Sequence, residues 1–425
     1  MEARTPRSIL LSTAVFFLLT QALIAQSDPP EFATWIRNTN GRVGYNNIPA
    51  DVQQVRYSAG YVYVNSTGIP SYAVGPWPGN PNVPTNQNFV FKITRTPAVN
   101  SGTKTNTSLG VIGVWKDGVA MFNALDAFSY NNQNIWHRIA VLAEAPSFDV
   151  CLCHPAPGGV LHHHQNPKCL YTPDSTHHSP LLGYAFDGFP IYGPHSYVNS
   201  NGTGGITRMT SSWRLRNITQ RHTLPDGTVL QPSQFGPDVS VTYPLGLYAE
   251  DYEYVSGLGI LDRYNGRTCV TPEYPDSTYA YFVTINADGS SAYPYYIGPQ
   301  YYGVVITENV TSGGHVTVSE PVTTYNPPTG VDPLCALPQQ LSLHQNYPNP
   351  FNPTTVISYQ MPANSFVSLK LFDIRGREIM TLVDGVREAG PHDVVLDGSR
   401  LSSGIYFYAM KAGQFNSVRK LLLLK

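Results

Sequence analysis

The chain has 425 residues, of which only 13% are charged, and its formal net charge is −2. That length exceeds one ordinary hydrophobic core and implies at least two folded domains. A nearly neutral chain without a basic block offers no electrostatic footprint for nucleic acid, which argues against that class of partner.

Arg4 and Arg7 precede an apolar run, residues 9–19, and the small residues Ala22 and Ala25 follow it. That order is the pattern of an export signal, and cleavage is expected near Ala25. The run is shorter than the roughly 20 residues that a spanning helix requires. No later stretch is long and apolar enough, so the mature chain is expected to have no transmembrane segment. Export implies an oxidising compartment in which cysteines can pair.

Gly and Pro number 36 each and Tyr 28, which predicts a mainly β, turn-rich molecule. Residues 52–57, 61–64 and 89–95 read as strands, with a Pro-rich ordered loop at 75–84 between the second and third. Residues 109–115 read as a buried strand that Lys116-Asp117-Gly118 turns into 119–122. Residues 134–145 carry Ile135, Ile139 and Leu142 at helical spacing, which predicts a helix. The tyrosines and tryptophans between Trp35 and Trp77 admit two readings, a packed core or a sugar-binding groove.

The densest chemistry lies in residues 149–171, which hold His154, His162, His163 and His164 together with Cys151, Cys153 and Cys169. His162 and His164 are one residue apart, so both project from the same face of an extended segment, and His163 from the other. His154 lies across a Pro-Ala-Pro-Gly-Gly turn short enough to fold back on that face, and His178 opens the next segment. His154, His162, His164 and His178 are therefore the candidate metal ligands, with zinc or copper the expected ions, although imidazole also suits nickel and iron. The bland reading is a surface cluster, or histidines satisfied by hydrogen bonds in a polar core. Asp187, in Phe-Asp-Gly-Phe-Pro, reads either as a turn residue or as a carboxylate orienting a ligand histidine. The three cysteines read as thiolate ligands or as disulfide partners, and export favours disulfides. Cys151–Cys169 would close the ends of the His loop, Cys153 would reach Cys269, and Cys335 is left over. The chain has no G-x-S-x-G elbow, H-E-x-x-H, P-loop, C-x-x-C or complete G-x-G-x-x-G.

From about Val52 to Gly303 the chain resembles the YHYH family, named for a Tyr-His-Tyr-His signature. The resemblance rests on Asn80-Pro-Asn, Gly110-Val-Ile-Gly-Val-Trp, Asn123-Ala-Leu-Asp-Ala-Phe-Ser-Tyr, and Cys151 with His154-Pro155. It continues through His162, His164, Pro167, Cys169-Leu170, Asp187-Gly-Phe-Pro-Ile-Tyr-Gly, Asn265-Gly266 and Tyr293-Pro-Tyr. Here the signature reads Leu161-His162-His163-His164, so both tyrosines are replaced and both histidines are kept. Cys153 stands where the family usually has glycine. The resemblance implies no particular reaction.

Residues 321–345 read as a Pro-rich linker. Beyond it Val367, Leu369 and Leu371 alternate with Ser368 and Lys370, the period of a half-buried strand. The pattern recurs to the end and fits a small immunoglobulin-like β-sandwich. Asn349-Pro-Phe-Asn-Pro, Asp373-Ile-Arg-Gly-Arg and Leu401-Ser-Ser-Gly-Ile-Tyr resemble the type A C-terminal sorting domain of the type IX secretion system. That resemblance implies the secretion machinery as a partner and delivery to the cell surface or the extracellular space. The expected division is a signal peptide (1–25), a loop-rich β domain (26–320), the linker (321–345) and the sorting domain (346–425). The leading functional reading is an exported protein holding a transition metal through its histidines. The alternative is a non-enzymatic module that binds carbohydrate or another surface. A metal-dependent hydrolase would need a base, for which Asp187 is the candidate, and whether the protein is an enzyme stays open.

Overall fold

The computed structural model describes residues 28–326, 341–346, 348–361, 365–387, 390–413 and 415–425. The expected export signal, most of the linker and Cys335 lie outside the described residues. No helix among the described residues is long and apolar enough to cross a membrane.

The first domain is built on two main sheets, with three two-stranded pairs beside them among the described residues. A four-stranded sheet has the order Thr323–Thr324, Val52–Tyr57, Tyr61–Ser66, Phe89–Thr94. Phe89, Phe91 and Ile93 alternate with less buried residues along the last of these, so one face packs on the core. Thr323 and Thr324, which composition places in the linker, pair with Tyr57 and Arg56 as its edge strand.

The eight-stranded sheet runs Gly266–Cys269, Thr278–Phe282, Pro190–Tyr192, Leu181–Ala185, Val111–Trp115, Ala120–Phe122, Leu161–His163, Cys153–Pro155. Val111–Trp115 is buried throughout, as an apolar run in the middle of a covered sheet must be. The turn after it needs a glycine at 118. There φ is +81°, and a Cβ would meet Ser66 Oγ at 2.1 Å.

The aromatic residues mostly pack inward. Trp35 is 1% and Trp77 9% exposed, which makes them core residues and not a groove. Tyr184, Tyr192, Tyr281, Tyr296 and Tyr301 join the same core. Each large apolar side chain so buried contributes about 1.5–3 kcal/mol.

The helix expected over residues 134–145 shrinks to one turn, Ala140–Ala143. Before it, His137–Ile139 pairs with Leu125–Ser129 as a strand. The apolar residues do not share a face: Ile139 is fully buried, Leu142 is 48% exposed, and Trp136 takes the interior position. Tertiary packing overrides the helical spacing.

The C-terminal domain is an antiparallel sandwich. One sheet has the order Ser342–Leu343, Thr354–Met361, Gly390–Asp397; the other, Glu378–Arg387, Ser365–Asp373, Gly404–Ala412, Phe415–Leu423. Val367, Leu369 and Leu371 are fully buried between the sheets, as their alternation predicts.

Candidate metal centre

The site begins with a hairpin at the edge of the large sheet. Cys153–Pro155 pairs antiparallel with Leu161–His163, with His154 opposite His162 and Cys153 opposite His163. A directly opposed pair places two side chains next to each other on one face, so the register brings the His154 and His162 rings together. His164 follows two residues after His162 on that face. His163 turns the other way and meets Trp115 edge-on.

The hairpin turn relies on Gly159, with φ +78°, where a Cβ would meet Thr85 Oγ1 at 2.4 Å. The Pro-rich loop braces the outer strand. Trp77 Nε1–H donates to Cys153 O at 3.0 Å, and Asn80 Nδ2–H to Pro155 O at 2.9 Å. Asp149 accepts from the backbone N–H groups of Gly75, Cys151 and Cys153, which ties that loop to the start of the site. The Cys151–Cys169 disulfide forms as expected and closes the His loop.

The three Nε2 atoms converge. His154 and His162 are separated by 3.0 Å and His162 and His164 by 2.9 Å, and all three ligand atoms lie within 4.8 Å of one another. The opposite ring nitrogens determine what those Nε2 atoms carry. His162 Nδ1–H donates to Val160 O at 3.0 Å, and His164 Nδ1–H to Asn123 O at 2.6 Å. A carbonyl only accepts, so the proton of each neutral ring sits on Nδ1 and Nε2 is a bare lone pair. His154 Nδ1 lies 2.7 Å from Ser147 Oγ, whose own hydrogen goes to Glu144 O. With that hydrogen on Glu144 O, Ser147 accepts from His154 Nδ1–H, and the third Nε2 is bare as well.

Burial keeps these rings neutral. It pushes His154 down to about 3 and His164 to about 4, and it holds His162 well below the usual imidazole range. The neighbouring imidazoles add to the effect on His154 and His162. Phe122 stacks on His162 at 3.8 Å and Phe148 packs on His154 at 4.4 Å, which fixes the ring planes.

Glu144, which no sequence pattern singles out, borders the cluster. Its Oε2 lies 3.3 Å from His154 Nε2 and 3.5 Å from His164 Nε2. That oxygen is buried without a hydrogen-bond partner among the described residues. Desolvation, then the Asp126 carboxylate beside it, raises the Glu144 carboxyl to about 7. Asp126 is itself ion-paired to Arg138. The cluster opens into a cleft of about 360 Å³ that Asn80, Pro81, Leu109, Leu125 and Pro157 also line.

Three further candidates are placed as follows. His178 is not in the cluster: its Nδ1 bonds Ser179 O and its Nε2 bonds Ser196 Oγ, among Tyr192, Tyr197 and Phe282. Asp187 orients no histidine. It accepts from Tyr281 O–H at 2.6 Å and from Gly303 N–H at 2.8 Å in the aromatic core. Cys153 and Cys269 are buried and unpaired thiols; Cys153 Sγ lies 3.4 Å from both Asp149 oxygens. Separate strands hold them, at opposite edges of the large sheet.

Residues 90–293, which contain His154, His162, His164 and Glu144, match the model of the family described as YHYH protein. Residues 345–424 match that of the secretion system C-terminal sorting domain. No curated protein matches the chain. Among solved structures there is a match to PorZ, a bacterial surface component of the type-IX secretion system of Porphyromonas gingivalis. It is 12% identical, covers 88% of this chain and 59% of that one, and has a TM-score of 0.16, too low to carry an argument.

Proposed function

We propose, from the premise that residues 90–293 are a YHYH domain and residues 345–424 a secretion sorting domain, that this surface-delivered or extracellular protein binds a transition metal through His154, His162 and His164. The observation that carries the reading is the set of three bare Nε2 lone pairs within 4.8 Å of one another. Lone pairs so close repel, and a cation among them turns the repulsion into coordination. In addition, every Nδ1–H is already held by a carbonyl or hydroxyl, the arrangement typical of metal-ligating histidines. Neutral imidazoles suit zinc or copper.

Glu144 supplies the fourth donor, since its oxygen lies within reach of two of the same nitrogens. Three nitrogen ligands and one carboxylate leave the face toward the cleft for an exchangeable ligand in any geometry beyond four-coordinate. A bound zinc or copper would supply Lewis acidity there. The protein's part is to hold the tautomers and fix the rings.

The test is metal content by mass spectrometry of the mature chain, purified without a polyhistidine tag, beside the His162→Ala/His164→Ala variant. Stoichiometric zinc or copper in the parent and none in the variant is expected. Equal metal content in both, or none in the parent after reconstitution, would overturn the reading.

A further inference from the structure

A larger cavity of about 660 Å³ adjoins the metal cleft, and Leu109 and Leu125 line both. Asn123 joins the two: its carbonyl holds His164, and the residue lines the larger cavity. The size falls within the range of about 300–1,000 Å³ usual for ligand sites.

One wall is a rigid aromatic shelf. Trp213–Leu215 and Tyr252–Tyr254 pair antiparallel, and Tyr252 stacks on Tyr293 at 4.1 Å with planes 19° apart. Trp213 meets Tyr293 edge-on at 5.7 Å, and its indole N–H is locked onto Arg263 O at 3.1 Å. Trp213 and Tyr252 are only half-buried, so these fixed rings face the cavity. Such a shelf matches the apolar C–H face of a pyranose ring.

The other wall offers paired amides. Gln300 Nε2–H donates to Asn106 Oδ1 at 3.0 Å. Gln300 Oε1 and Asn106 Nδ2 make no other hydrogen bond among the described residues, leaving one acceptor and one donor side by side. Sugar hydroxyls can donate to the one and accept from the other. Both Glu250 oxygens are bound by His137, at 2.7 and 2.8 Å, which leaves Arg263 as the other ionised group of the lining. No cluster of cations is present to hold a phosphate or a polyanion.

We infer that this cavity binds a neutral pyranose glycan, whose chain runs past Leu109 and Leu125 toward the metal cleft. The direction of the chain rests on the metal reading; the binding does not.

The test titrates the full mature chain, by calorimetry and by ligand-observed NMR, with a panel of neutral hexose and pentose oligosaccharides and a uronate series. It is run once in EDTA and once with copper(II). At least one neutral series is expected to bind, and Trp213→Ala and Gln300→Ala to weaken it about tenfold or more. Gln300→Ala removes only an amide at the rim, so its thermal midpoint should equal that of the parent and loss of fold is excluded. Copper(II) is expected to broaden the resonances of one end of the bound sugar. Binding in EDTA, with copper(II) taken up but broadening nothing, would retain the cavity and overturn the direction; binding by a chain that takes up no copper would retain the cavity and overturn the metal reading. No binding by any neutral glycan, preference for uronates, or unchanged binding by both variants would overturn the inference.

Discussion

His162 and His164 face each other through bare nitrogens: their Nε2 atoms are 2.9 Å apart, while each Nδ1–H is spent on a backbone carbonyl. On the proposed reading, removing one of them removes a ligand. His162→Ala is expected to lower zinc or copper affinity by about 100-fold or more. His178→Ala, outside the cluster, should leave it unchanged. A competition titration against a chromophoric chelator reads both, and equal losses in the two variants would refute the assignment.

Glu144 gives a second, separable prediction. Its buried oxygen sits 3.3 Å from His154 Nε2 with no donor of its own. Glu144→Gln keeps the shape and removes the charge, and affinity is expected to fall about 10- to 100-fold. Asp187→Asn should show no such loss, because Asp187 serves Tyr281 in the core. Metal-binding isotherms for the pair of variants check this directly.

The Cys151–Cys169 disulfide closes a loop with a sequence separation of 18. A loop of that size restricts the unfolded chain by about 3 kcal/mol. Cys151→Ser/Cys169→Ser should lower the unfolding free energy by about that amount, seen as a drop of several degrees in Tm. If Tm is unchanged, the His loop is held by Asp149 and the Pro-rich loop alone.

Asp117 makes stability depend on pH. Burial, with the Asp51 charge adding to it, raises the Asp117 carboxyl from 3.8 to about 7. The folded chain therefore keeps a proton that the unfolded chain loses near pH 4. Folding is penalised progressively as pH rises from about 4 to about 7, and fully above that, by at most about 4 kcal/mol. Asp117→Asn can still accept from Val119 N–H, as Asp117 Oδ1 does at 3.1 Å. It is expected to raise Tm at pH 8, with the advantage vanishing near pH 4. A pH-independent difference would mean that the charge is not the cause.

Much of this protein is local and therefore legible in one dimension. The alternation of Val367, Leu369 and Leu371 implies a half-buried strand because side chains on a strand alternate with period two. The spacing of His162 and His164 implies a shared face for the same reason, and the tail's motifs imply an address. Residues 134–145 show the limit: their apolar spacing is helical, yet pairing of Ile139 with Leu125 makes the segment a strand and a single turn.

What only the tertiary structure decided is which distant groups meet. Hairpin register, not spacing, sets His154 against His162. The Asn123 carbonyl, contributed by the residue after the strand Ala120–Phe122, assigns the His164 proton. A one-turn helix delivers Glu144 to the cluster, and the same packing leaves His178 bonded to Ser196 elsewhere. Sequence alone determined the secretion address, the β architecture and the pair of histidines, because those depend on neighbours along the chain. The donor set depends on loop closure and strand pairing between segments far apart in sequence, and only folding specifies those.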